Sequence, residues 1–181
     1  MTKQELINQL KHIHLNFEFG LACISLINDP IAMKALPSLH VDIFSKRHSH
    51  DRIIKILNGK EKEMAIRLFL NMVLMTSTLK DSYNAIVSYC NSCQPEQHSK
   101  LRRQPYFQYI RMIRNAMSHG YKFNFDGIKE ERKATLFPIK WDGKIINESD
   151  EGKEISNTQL SYEDLFILLH ELNQFVKKKL V

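Results

Sequence analysis

Apolar residues return every third or fourth position over three long stretches of this chain. Leu6, Leu10, Ile13, Phe17, Leu21 and Ile24 mark the first stretch, over residues 4 to 28. Met64, Leu68, Met72, Met75, Leu79, Tyr83, Ile86 and Cys90 mark the second, from Glu61 to Cys90. A third runs from Pro105 to Gly120. That period places each set on one face of a helix, so the chain must bury helical stripes against one another. Asp29-Pro30 ends the first helix, because a residue before proline is pushed out of the α region. From there to residue 50 the pattern is less regular, with Pro37 and a polar cluster over Ser45 to His50. Asp51 is placed to cap a short helix that Asn58-Gly59 closes, and a break at Gln94-Pro95 follows the second stripe.

After Gly120 the pattern changes. Tyr121 to Phe125 alternates, Asp126-Gly127 reads as a turn, and Ala134 to Trp141 is rich in strand formers. Asp142-Gly143 before Lys144-Ile145-Ile146 is a hairpin signal. An acidic loop over Asn147 to Asn157 leads to Ser161, which can cap a last helix ending in Lys177-Lys178-Lys179, cations suited to the negative end of a helix dipole. The expectation is a mainly α protein: a bundle of four to five helices with a β-hairpin inserted before the last. At 181 residues it forms a single domain, 1–181.

The formal net charge of +6 favours polyanionic partners in encounter without specifying one. No apolar run reaches the length of a bilayer span; Met64 to Met75 is interrupted by Arg67 and Asn71. The opening Met-Thr-Lys-Gln-Glu-Leu lacks the apolar core of a signal peptide. Three cysteines make no disulfide framework, and the reading is a cytoplasmic protein with no membrane association. Neither a phosphate-binding glycine loop nor a Gly-x-Ser-x-Gly elbow occurs, which leaves ATPase, dehydrogenase and ordinary hydrolase readings without support.

The residues that carry chemistry stand at the end of the third stripe, in Arg114-Asn115-Ala116-Met117-Ser118-His119-Gly120. At 100° per residue, Tyr109, Ile110, Met112, Ile113, Ala116 and Met117 share one broad apolar face, and Arg111, Arg114, Asn115, Ser118 and His119 the opposite arc. Asn115 and His119 are four apart and align, as do Arg111 and Asn115. Arg114 and His119 are five apart and diverge by about 140°. Using both needs a distorted last turn or two copies of the helix meeting across a two-fold axis. Left to itself, such an arc is what any surface helix shows, with His119 suited to the dipole and Gly120 to a left-handed cap.

The group Arg114-Asn115-x-x-x-His119, with its His119-Gly120-Tyr121 continuation, resembles the signature of HEPN domains. Those pair an arginine, a polar residue and a histidine near the end of a late helix. The resemblance implies a homodimer that joins the motif helices into a cleft with two arginines and two histidines. It also implies a metal-independent endoribonuclease of the kind found among toxins and anti-phage defence effectors, some held by a nucleotidyltransferase-like antitoxin. Other such domains lack catalysis and bind a protein or nucleotide partner. Under the nuclease reading Arg114, Asn115 and His119 are catalytic. His119 moves the proton, Arg114 stabilises the phosphorane, and Asn115 orients the phosphate or His119. RNA contact falls to Arg111, Tyr121, Lys122 and Arg103, with no cofactor and no metal.

Other groupings carry less. Cys90-x-x-Cys93 with His98 lacks a fourth zinc ligand, and Cys90 continues a core stripe. His12 and His14 are two apart on a helix and diverge by about 200°. His48 and His50 fall in an expected loop. Lys100, Arg102 and Arg103 lead basic charge into the motif helix, with Tyr106 and Phe107 interleaved. Core packing is the expected fate of those rings, more so for Phe107 than for Tyr106, and base stacking is the alternative.

Overall fold

The computed structural model describes residues 1–35, 47–93 and 95–180. Within them the chain is mainly helical: α1 (Lys3–Asn28), α2 (Pro30–Ala35), α3 (Arg47–Asn58), α4 (Lys62–Leu68), a π-helical segment (Phe69–Met75), α5 (Thr76–Cys93), α6 (Pro95–Arg102), α7 (Phe107–Ser118) and α8 (Glu130–Leu136). The hairpin β1 (Ile139–Trp141) and β2 (Lys144–Ile146), a 3₁₀ turn (Glu148–Asp150) and α9 (Tyr162–Lys179) complete it. Two compact units form: one of Met1–His14 with Met75–Val181, the other of Leu15–Leu74.

The start of α1 is fixed locally. Thr2 Oγ1 accepts from the Glu5 amide at 3.2 Å while the Glu5 carboxylate accepts from the Thr2 amide at 2.6 Å, a reciprocal cap. In the first unit Leu6 and Leu10 are buried, and Lys3 Nζ donates to the carbonyls of Lys177 and Leu180 near the end of α9. That ammonium answers carbonyls which the helix itself cannot satisfy.

The core of this unit comes from α5, α7 and α9. Leu79, Ile86 and Cys90 of α5 are buried, as are Leu165, Leu168, Leu172 and Val176 of α9. Each such side chain contributes roughly 1.5–3 kcal/mol by leaving water. Ile139, Trp141 and Ile146 of the hairpin close one side. The Trp141 ring lies 5.3 Å from that of Tyr109, and its Nε1–H donates to Glu171 at 3.0 Å. Asp142 and Gly143 both take positive φ, 43° and 73°, as a tight two-residue hairpin turn requires.

Ser161 caps α9 through the Asp164 amide, and Asp164 answers the Ser161 amide at 2.6 Å. Burial opposes the charged form of Asp164. The Lys144 ammonium at 2.9 Å and the Ser161 donors outweigh it and hold the carboxyl below its usual range. In the second unit Asp29 Oδ1 accepts from the Ile31 and Ala32 amides, which starts α2 directly after α1. Lys62 Nζ donates to the Ile27 carbonyl at 2.7 Å.

The hairpin, the caps of α9 and the lysines at its end agree with expectation. Four features differ. Residues 30–35 and 95–102 are helical where irregular chain or a break was expected. In α2 the Asp29 cap restarts a helix after the break; in α6 proline sits at the first helical position, where its missing N–H costs nothing. Asp51 lies inside α3 instead of capping it, so the backbone at His48 and His50 is helical and the expected loop there is absent. Ala134 to Leu136 belongs to α8, and only Ile139 to Trp141 of the strand-rich run is extended. The single long helix after Glu61 is interrupted by π-helical turns, which take more residues per turn than an α-helix. Met64 and Leu68 are exposed while Met75 and Leu79 are buried. Pro37, Ser45, Lys46 and Gln94 lie outside the described residues, as do the His48 and His50 imidazoles.

Leu168→Ala should lower unfolding free energy by about 2–5 kcal/mol, read from a denaturant midpoint. Because folding lowers the Asp164 pKa, the stability it confers is present above the unfolded value and lost as pH falls through the folded one. Acid unfolding below about pH 4 should therefore begin at higher pH in Lys144→Met than in the parent chain.

Candidate RNA-contact site

Helix α7 sorts its side chains as the period demands. Phe107, Tyr109, Ile110, Met112, Ile113, Ala116 and Met117 are buried, while Arg111, Arg114 and Asn115 are half-buried and Ser118 and His119 exposed. The packing that fixes the apolar face also fixes where the polar arc emerges.

Arg114 is held from three sides. Its Nη1 donates to Asn115 Oδ1 at 3.1 Å, its Nη2 donates to Asn84 Oδ1 of α5 at 3.2 Å, and its guanidinium carbon lies 5.5 Å from the Tyr83 ring centroid. The ring offers its negative face to the cation, and Tyr83 is itself stacked on Phe107, 6.0 Å away. Arg114 Nε is buried and has no acceptor among the described residues. Burial raises the pKa of the Tyr83 hydroxyl, and the guanidiniums of Arg111, Arg114 and Arg102 pull it back. Three fixed cations from α6 and α7 thus bear on one phenol. On α6, His98 sits below the usual histidine range through burial and the nearby Arg102 charge.

His119 follows the helix. Its amide bonds back to the Asn115 and Ala116 carbonyls at 3.1 and 3.0 Å, but its backbone has left the helical region at φ −111° and ψ 41°. Gly120 and Tyr121 then adopt φ of 68° and 67°. The reversal is pinned twice: Tyr121 Oη pairs with Thr76 Oγ1 at 2.6 Å, and the Tyr121 carbonyl accepts from the Ile155 amide at 2.9 Å. These dihedral angles are those of a helix that ends in the left-handed region, as expected for Gly120. Among the described residues the His119 imidazole takes no hydrogen-bond partner.

Of the expected RNA-contact residues, Arg111 shares the Tyr83 environment with Arg114, and its Nη1 donates to Gln108 Oε1 at 3.3 Å. Tyr121 is committed through its hydroxyl to Thr76. Lys122 is exposed, and its backbone bridges to Glu154. Arg103 is exposed just beyond α6. Tyr106 is as buried as Phe107, with 4% of each exposed, and its hydroxyl donates to the Glu171 carbonyl. The alternative of Tyr106 as a stacking ring is thereby corrected: it is a core residue. Cys90 is buried, with its thiol pushed up to about 11 by burial and the neighbouring Cys93. No group of three metal-ligating side chains gathers among the described residues, and none of the described helices is long and apolar enough to cross a membrane.

The residues missed in the sequence are Tyr83 and Asn84. Tyr83 belongs to the α5 apolar stripe by spacing, and only its half-exposed position at the stripe's edge turns the ring toward Arg114. Asn84 has no pattern of its own. No family model, curated protein or solved structure matches this chain.

Gly120→Ala should cost about 1 kcal/mol, because an added Cβ meets nothing within 4 Å and only the left-handed backbone opposes it. Tyr121→Phe should cost about 1 kcal/mol by removing the bond to Thr76. Both are readable by chemical denaturation.

Proposed function

We propose that this chain is a metal-independent RNA endonuclease of the HEPN type, with Arg114, Asn115 and His119 as its catalytic residues. The observation that carries the reading is the presentation of Arg114. Its guanidinium is fixed by Asn84, Asn115 and the Tyr83 face, each Nη giving one N–H to an asparagine oxygen and keeping a second. A guanidinium held in one orientation offers those remaining N–H groups to a phosphate oxygen with little ordering left to lose.

In the proposed reaction the ribose 2′-hydroxyl attacks the adjacent phosphorus. Bond formation from O2′ and cleavage of P–O5′ give a 2′,3′-cyclic phosphate and a 5′-hydroxyl. One imidazole takes the 2′-hydroxyl proton and another gives a proton to the leaving O5′. Arg114 balances the charge that builds on the non-bridging oxygens, and Asn115, bonded to Arg114, sets its orientation. Two chains joined at α7 would bring two copies of His119 and Arg114 to one cleft, which fits the divergence of these residues along a single helix. A toxin or defence role, with a nucleotidyltransferase-like antitoxin, belongs to this reading.

That the His119 ring bonds to neither Arg114 nor Asn115 among the described residues favours a second reading, a catalytically silent domain whose polar face binds a protein or nucleotide, such as a nucleotidyltransferase-like partner. Purified protein incubated with RNA in EDTA separates the two. Cleavage leaving cyclic phosphates should fall about 10²–10³-fold in Arg114→Ala and about 10²–10⁴-fold in His119→Ala. Arg114→Lys should recover little, since lysine keeps the charge but loses the fork. DNA, without the 2′-hydroxyl, should stay intact. A folded dimer that leaves every RNA whole would select the binding reading.

A further inference from the structure

One turn before Arg114, α7 borders a second cationic feature. A cavity of about 450 Å³ is lined by Gln108 and Arg111 of α7, Ile128 and Lys129 of the connecting loop, and Arg132 and Leu136 of α8 among others. Three cations and no carboxylate line it. Charge is sorted along α8 to make this so. Lys129, Arg132 and Leu136 recur at three- and four-residue spacing on the cavity face. Lys133 lies off that face, pairing with Glu130 at 2.8 Å and Glu151 at 3.6 Å.

We propose that this cavity is a second phosphate subsite, holding the sugar-phosphate of a nucleotide neighbouring the one at Arg114 on the same single strand. The inference rests on the reading of the Arg114 face as an RNA-contact site. Arg111 supplies the link: it stands three residues before Arg114 on the same helix, on the neighbouring turn of its surface, and also lines the cavity. Gln108 Oε1 accepts from Arg111 Nη1, which steadies the guanidinium at the cavity wall. Positive charge therefore continues from Arg114 through Arg111 to Lys129 and Arg132, the form that a polyanionic strand requires. Ile128 and Leu136 give the cavity an apolar part suited to a sugar or base edge, and its volume exceeds the need of a bare oxyanion.

The test uses the full chain and a fluorescent single-stranded 2′-O-methyl oligonucleotide, which cannot be cut by 2′-hydroxyl attack. Binding is followed by anisotropy between 50 and 200 mM salt, about the range over which phosphate binding shows its salt dependence. Arg111→Gln/Arg132→Gln should weaken binding about tenfold and reduce the salt slope by about 0.7 for each phosphate no longer neutralised. Lys129→Gln/Arg132→Gln, at two exposed positions, should act in the same direction and keeps the test valid should the Arg111 substitution unfold the chain. Lys178→Gln/Lys179→Gln on α9 removes equal charge outside the cavity and should leave binding nearly unchanged. Equal weakening by the α9 pair, or none by either cavity pair, would overturn the subsite. So would cavity-dependent binding of 5′-AMP without binding of the strand. Cleavage of ribose RNA is measured separately. A chain that cuts RNA but binds independently of the cavity loses the subsite alone. One that binds through the cavity without cutting loses the nuclease reading alone.

Discussion

Burial of the apolar face of α7 is the constraint on which the rest of the first unit depends. Seven of its twelve residues are buried, and they meet α5, α9 and the hairpin through Tyr109, Trp141 and their neighbours. A helix committed to that extent cannot rotate about its own axis without exposing several of these side chains, at roughly 1.5–3 kcal/mol each. The angular position of Arg111, Arg114 and Asn115 is consequently set by hydrophobic packing. Their mutual bonds add detail to an orientation already decided.

The same packing explains what could be read from the sequence. The division of α7 into faces follows from helical period alone, and every residue assigned to its apolar face is buried. The Asp142-Gly143 turn and the Ser161 cap are similarly local, each determined by a few adjacent residues. What escaped reading was not local. The holding of Arg114 by Tyr83 and Asn84 joins positions about thirty residues apart, and their neighbourhood exists only once α5 and α7 have packed. The π-helical turns over Phe69–Met75 left no mark in composition, and the single stripe read from Met64 to Cys90 is exposed at Met64 and Leu68 and buried at Met75 and Leu79. Short helices such as α2 and α6 hide behind prolines, which end one helix as readily as they begin the next.

Two kinds of cation emerge around α7. Arg114 is braced, partly desolvated and geometrically fixed, suited to a single well-defined oxygen. Lys129 and Arg132 are exposed at the rim of a cavity, suited to a phosphate that needs attraction more than alignment. Arg111 belongs to both environments. The gradation along this surface runs from a braced, half-buried guanidinium to exposed cations at a cavity rim.

The reversal after α7 has a consequence for time as well as for geometry. Helix ends ordinarily fray, opening and closing on the nanosecond-to-microsecond scale of terminal motion. Here the next residues are tied to Thr76 and Ile155, which denies the last turn that freedom. What remains for His119 is rotation about its own side-chain bonds, a picosecond-to-nanosecond search over a few rotamers. An imidazole on such a mount changes rotamer without any slow rearrangement of its backbone.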